Sequence, residues 1–175
     1  MKTILITGAT SGIGLAVAKK LANEKNHLIL CGRRQQKLDE IFEELSKSAN
    51  ILSLCFDVSK KEEVNKVLEN LPKEFSSIDI LINNAGNAHG RDTIQEGSLD
   101  DWDNMIDSNV KGLLYVSRVV MPKMIEKQSG HIINIGSLAG REVYEKGNIY
   151  CATKHAVNAI SKAMRIDLNK TGIKV

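Results

Sequence analysis

Tyr150 and Lys154 stand four residues apart in the stretch Tyr-Cys-Ala-Thr-Lys, a spacing that puts a phenol and an ammonium on one face if the segment is helical. That pair would make an acid. A free tyrosine titrates near pH 10, so bringing it to neutrality takes about 3 pKa units, or about 4 kcal/mol of preference for the phenolate. A fixed cation one turn away is the nearest local source of that preference. An isolated Tyr-x-x-x-Lys is more often two surface side chains that meet by helical accident, so the weight falls on the features that precede it.

Near the start of the chain, Gly8-Ala9-Thr10-Ser11-Gly12-Ile13-Gly14 follows the β-branched run Thr3 to Thr7 and leads into a helical pattern through Leu15, Ala18, Leu21 and Ala22. Strand, glycine-rich turn and helix together let a backbone approach a pyrophosphate and offer free N–H groups to its charge. The spacing is G-x-x-x-G-x-G, and the same glycines could also serve only to build a tight turn. A second strand, His27 to Cys31, ends in Gly32-Arg33-Arg34. NAD sites commonly carry an acid at this point, whereas a 2′-phosphate is repelled by an acid and held by arginine. Two cations opening a helix also oppose its dipole unless an anion compensates them. NADP is therefore favoured over NAD.

The elements that must position these groups alternate throughout. A helix is expected from about Gln36 to Ser46, with Leu38, Ile41, Phe42 and Leu45 on its inner face. A third strand, Ile51 to Phe56, stops at Asp57-Val58 before a helix from about Ser59 to Leu71. Asp57 could meet an adenine edge or could only help Ser59 start that helix. The fourth strand, Ile78 to Ile82, ends in Asn83-Asn84-Ala85-Gly86, where amides can brace neighbouring loops and small residues admit a close approach. Ser98-Leu99-Asp100-Asp101 reads as a capping box that opens a long helix. Asn109 lies in its middle, as a core-bonded or exposed amide or as one that faces a cleft and holds a water. The fifth strand, His131 to Ile135, ends at Gly136-Ser137, and a loop of about a dozen residues, long enough to suggest function, leads to the Tyr150 helix. Gly172 stops that helix, and Ile173-Lys174-Val175 opens a sixth strand.

This pattern predicts an α/β fold of the Rossmann type, a doubly wound parallel sheet with its crevice beyond the carboxyl ends of the strands. At 175 residues, 42% apolar and 26% charged, the chain suits one domain with a real core, residues 1–175. The net charge of +3 is scattered, which disfavours nucleic acid as a partner. No apolar run approaches the roughly 18 residues that would span a bilayer, and a strand begins too early to leave room for a signal peptide, so the cytoplasm is the expected address. Cys31, Cys55 and Cys151 are odd in number and widely spaced, and the four histidines lack ligand spacing, so neither a disulfide framework nor a metal site is expected.

Taken in order, Thr7-Gly8-x-x-x-Gly12-Ile13-Gly14, Asn83-Asn84-Ala85-Gly86, Asn109, Ser137 and Tyr150-x-x-x-Lys154 resemble the short-chain dehydrogenase/reductase family along the whole chain. Cys31 to Arg34, Ile78 to Leu81 and His131 to Ser137 look most like its NADP-dependent 3-hydroxy acid dehydrogenases, which also oxidise serine and allo-threonine. The resemblance implies hydride transfer between a nicotinamide and a small secondary alcohol or ketone, 3-hydroxy acids included. It makes Tyr150 the acid/base, Lys154 the group that holds the nicotinamide ribose and acidifies the phenol, and Ser137 a hydrogen bond to the substrate oxygen. Asn109 would hold a relay water. Gly8, Thr10, Ser11, Gly12, Ile13 and Gly14 would wrap the pyrophosphate, Arg33 and Arg34 the 2′-phosphate, Asp57 and Val58 the adenine, and Asn84 a ribose. It also implies a homo-oligomer built on the helices bearing Asn109 and Tyr150. Family members continue past the sixth strand into a segment that covers the substrate, so a chain ending at Val175 would lack that lid. The competing expectation is a catalytically impaired fragment or a regulatory nucleotide-binding module. His89, Arg91, Arg141 and Lys146 fall in loops expected near the cleft, where one of them would hold a substrate carboxylate or all would face water.

Overall fold

Side chains alternate across each strand, and both sets are apolar. Leu5, Ile29, Leu81 and Ile132 pack on one face of the sheet, and Ile4, Ile6, Leu28, Leu30 and Ile82 pack on the other. A strand apolar on both faces must be covered twice, which is why the sheet is parallel and helices flank it. In the computed structural model, which describes residues 1–175, the strands are β1 (Lys2–Thr7), β2 (Asn26–Gly32), β3 (Asn50–Cys55), β4 (Ile80–Asn83), β5 (Gly130–Asn134) and β6 (Ile173–Lys174). They form one sheet in the order β3-β2-β1-β4-β5-β6, and every neighbouring pair is parallel.

Helices α1 (Gly12–Leu21) and α2 (Gln35–Leu45) cover the face of Ile4 and Ile6, through Ala18, Leu38, Ile41 and Leu45. The opposite face is covered by α3 (Lys61–Leu68), α5 (Leu113–Glu126) and α6 (Asn148–Asp167), through Val64, Leu68, Val116, Val120, Val157 and Met164. The strand order reverses between β1 and β4, and such a switch point opens a crevice at the strands' carboxyl ends.

Three local expectations are corrected. Phe42 is 42% exposed and leaves the inner face of α2 to Leu38, Ile41 and Leu45. Helix α3 opens at Lys61 with no side-chain cap, so Ser59 is not its N-cap; Ser59 N instead donates to Asp57 Oδ1 at 2.9 Å in the turn before it. The long helix from Ser98 is not uniform. Ser98 Oγ does accept from Asp101 N at 3.3 Å, but α4 (Leu99–Ile106) widens into a π-helical segment, Asp107–Gly112, before α5. Such widenings re-aim side chains and are frequent at functional sites.

A polar seam crosses the core beneath the crevice. Asn83 and Asn134 are register partners on β4 and β5, and Asn83 Nδ2 donates to Asn134 Oδ1 at 2.9 Å and to Ser117 Oγ of α5 at 3.0 Å. Asn134 Nδ2 donates in turn to Ser161 Oγ of α6 at 2.9 Å. Two strands and two helices are thereby fastened by side chains one or two residues short of the groups that face the ligand.

Candidate active site at the switch point

The crevice beyond β1, β2, β4 and β5 has a volume of about 610 Å³, within the usual range for a bound small molecule. Its near wall is the glycine-rich turn. Gly8 and Gly12 hold φ of +65° and +54°, and a β-carbon on Gly8 would stand 2.9 Å from Ala85 Cα, so the turn fits only with glycine there. Asn84 braces it: its Nδ2 donates to Thr7 O at 2.9 Å and Gly8 O at 3.1 Å, while Thr7 Oγ1 accepts from the N–H groups of Asn84 and Ala85. No side chain caps α1, so the N–H groups of its first turn are available to an anion. Thr10, Ser11, Gly12 and Ile13 line the crevice, whereas Gly14 lies behind it, packed against Asn84 and the Gly8 carbonyl.

At the next wall, Arg34 Nη2 donates to Thr10 Oγ1 at 2.9 Å and Ser11 Oγ at 3.1 Å. Arg33 Nη1 stands 3.4 Å from Asp57 Oδ2. Burial alone would raise the Asp57 carboxyl, but hydrogen bonds from Ser59 and the Arg33 charge outweigh it and hold the group below the usual carboxylate range. Asp57 therefore shapes the turn before α3 and anchors Arg33, with Val58 beside it in the crevice wall.

Tyr150 and Lys154 enter from α6. Lys154 Nζ lies 5.9 Å from the centre of the Tyr150 ring and donates to Ile135 O at the end of β5, 2.9 Å away. Both line the same crevice as Gly12 and the two arginines. Ser137 follows the crevice-lining Gly136 and sits at the rim, where its hydroxyl accepts from Ala139 N at 3.2 Å. The turn it opens is pressed onto α6, since a β-carbon on Gly140 would meet Lys154 O at 2.5 Å.

The Asn109 side chain is a buried strut: Oδ1 accepts from Asn87 N at 2.8 Å, and Nδ2 donates to Asn87 O at 2.9 Å and Thr153 Oγ1 at 3.0 Å. Both of its side-chain donors are thereby satisfied within the protein. Thr153 Oγ1 donates onward to Tyr150 O at 2.8 Å. The loop after β4, the π-helical segment and the tyrosine helix are thus joined through one amide and one hydroxyl. Sequence inspection misses Asn87 and Thr153, although each lies inside or next to a recognised motif. Replacing Thr153 with Val leaves the Asn109 donor buried and unpaired, which should cost about 1–3 kcal/mol of stability. The thermal midpoint should fall for Val and recover for Ser; equal midpoints for both variants would show that the hydroxyl carries no load.

Burial pushes the Lys154 ammonium below its ordinary value of 10.5. Between the folded-state pKa and 10.5 the unfolded chain holds the extra proton, so stability rises with pH in that window. The penalty for burying the cation is fully present below the folded-state pKa and is relieved as pH climbs toward 10.5. With Lys154→Met, the thermal midpoint relative to the unsubstituted chain should be highest below the folded-state pKa of Lys154 and decline as pH rises toward 10.5. A difference that does not vary with pH would contradict a buried charge at this position.

A doubly wound fold whose switch point carries a glycine turn, two cations and a Tyr/Lys pair defines the class of nucleotide-dependent oxidoreductases. Residues 2–175 match the family described as short chain dehydrogenase, and the chain belongs to that family. It is 44% identical over 172 residues to the NADP-dependent 3-hydroxy acid dehydrogenase YdfG of Escherichia coli O6:H1, covering 98% of this chain and 68% of that protein. It is equally 44% identical, over 177 residues, to the NADP-dependent 3-hydroxy acid dehydrogenase of Schizosaccharomyces pombe, covering 99% and 68%. Among solved structures it superposes on the closed form of serine dehydrogenase complexed with NADP+ with a TM-score of 0.95 at 42% identity, covering 99% of this chain and 69% of that one. No helix is long and apolar enough to cross a membrane.

Proposed function

We propose that residues 1–175 act as one NADP-binding catalytic unit that exchanges a hydride between the cofactor and a small secondary alcohol or ketone, with 3-hydroxy acids as the substrate class. The carrying observation is that Tyr150 and Lys154 share one crevice with the glycine turn and both arginines. The residues fit the cofactor: a turn that admits no β-carbon at Gly8, an uncapped helix start, and guanidinium groups with donors to spare.

Bound NADP supplies the hydride chemistry at the carbinol carbon. Thr10 to Ile13 would hold its pyrophosphate, Arg33 and Arg34 its 2′-phosphate, Asp57 and Val58 its adenine, and Asn84 and Lys154 its riboses. Tyr150 takes the alcohol proton in oxidation and returns it in reduction, because its phenol lines the crevice beside a cation. Lys154, already tied to Ile135 O, fixes that cation on the tyrosine's side. Ser137, at the rim, orients the substrate oxygen. Asn109 serves by holding the loop after β4, the π-helical segment and α6 together.

Relatives named as NADP-dependent 3-hydroxy acid dehydrogenases support the cofactor and the substrate class. Three free thiols suit a reducing compartment such as the cytoplasm. Exposed Leu99, Leu114 and Ile166 on α4, α5 and α6 suit self-association through those helices. The test is NADP+ reduction followed by absorbance across a panel of small alcohols and hydroxy acids, alongside NADPH binding by fluorescence. Turnover with NADP+ is expected. NADPH binding without any turnover would instead identify a nucleotide-binding module.

A further inference from the structure

A second chamber, of about 320 Å³, opens beside the crevice and shares Ala88 and Tyr150 with it. Its walls are the loop after β4 and the loop before α6. Asn148 Nδ2 fastens one to the other by donating to Asp92 O at 2.8 Å, and His89 N is drawn to Met105 Sδ at 3.4 Å, which fixes the first loop to α4. Met105 and Tyr144 give the chamber an apolar side, Arg91 and Lys146 give it a cationic one, and His89 also lines it.

No acidic residue lines this space. The carboxylates of Asp92 and Asp101 stand beside Gly90, and neither Arg91 nor Lys146 has a carboxylate within 4.0 Å. Two cations beside an apolar wall, neither of them ion-paired, suit an anion with a short carbon chain. Lys146 also holds φ of +60°, a left-handed conformation that a β-carbon disfavours, in a loop where the next residue is glycine. Backbone strain of this kind tends to persist where the side chain is needed.

We propose that this chamber is the acid subsite: Arg91 and Lys146 bind the carboxylate of a short hydroxy acid while its carbinol oxygen faces Tyr150. Arg141, the third loop cation, lies outside the chamber and has no part in it. The proposal rests on the dehydrogenase reading above, which it deepens by naming the residues that select the substrate.

The test compares 3-hydroxybutanoate with 2-butanol, which carries a methyl group in place of the carboxylate. The variant combines Arg91→Ala with Lys146→Gly, the glycine removing the charge without straining the backbone. Its kcat/KM for 3-hydroxybutanoate should fall at least about 10- to 100-fold, the loss expected for one charged hydrogen-bonding partner, and chiefly through KM. Turnover of 2-butanol and binding of NADPH should be unchanged, and Arg91→Lys with Lys146→Arg should restore most of the loss. Equal losses for both substrates, or no loss for either, would overturn the subsite. If the unsubstituted chain turns over neither substrate, the dehydrogenase reading fails instead, and calorimetry with 3-hydroxybutanoate in the presence of NADP+ still decides the subsite. Weaker binding in the double variant supports it; equal binding, or none to the unsubstituted chain, rejects it.

Discussion

Replacing Tyr150 with Phe should lower kcat about 10²- to 10⁴-fold, the range that a positioned acid/base contributes. The substitution removes one oxygen and keeps the ring, so the Lys154 ammonium, 5.9 Å from the ring centre, loses no packing neighbour. Lys154 retains its bond to Ile135 O, and neither Thr10 nor Arg34 touches the phenol. NADPH affinity should therefore stay within about threefold, and kcat and kcat/KM should fall together, as they do when an interaction made only in the transition state is lost. Single-turnover kinetics with a fluorescence titration of NADPH separate the two quantities. A Phe variant with near-normal turnover would assign the proton to another group.

Exchanging both Arg33 and Arg34 for Ala should weaken NADPH binding by about 10²- to 10⁴-fold, since each cation makes charged hydrogen bonds worth about 1.5–3 kcal/mol. The two contribute unequally. Arg33 leans on Asp57 at 3.4 Å with its side chain 60% exposed, so its removal takes away charge and little else. Arg34 is fastened to Thr10 Oγ1 and Ser11 Oγ and also stiffens the glycine turn. Arg33→Ala should thus cost NADPH alone, while Arg34→Ala should also cost NADH, though less than it costs NADPH, because the braced turn is lost with the charge. Equal losses of the two cofactors in the Arg33 variant would remove the 2′-phosphate from the assignment.

Much of this organisation is legible in sequence because it is local. Glycines after a short apolar strand, arginines after the next and amides after the fourth each mark a strand's carboxyl end, and a parallel sheet brings those ends to one side. What escapes is tertiary. Nothing in the apolar spacing from Trp102 to Val120 signals the π-helical turn at Asp107–Gly112, because its partners lie 22 and 44 residues away from Asn109, at Asn87 and Thr153. A mid-helix asparagine is ambiguous by itself, and only its three bonds show that it carries the loop and α6. The exposed Phe42 and the late start of α3 are likewise set by where neighbouring chain runs, which periodicity does not encode.

The Asn83–Asn134 fastening has a bearing on how the chain finds this arrangement at all. Ile80 to Ile82 and the pair Ile132 and Ile133 are apolar on both faces of the sheet, so apolar contact alone discriminates weakly against pairing β4 and β5 one residue out of step. Such a slip would turn Asn134 to the opposite side of the sheet, away from Ser161, and bury amides among hydrocarbon. Misaligned pairings are thereby penalised during folding, and the two strands stop level with each other at the point where Asn84 and Gly136 must face the same ligand.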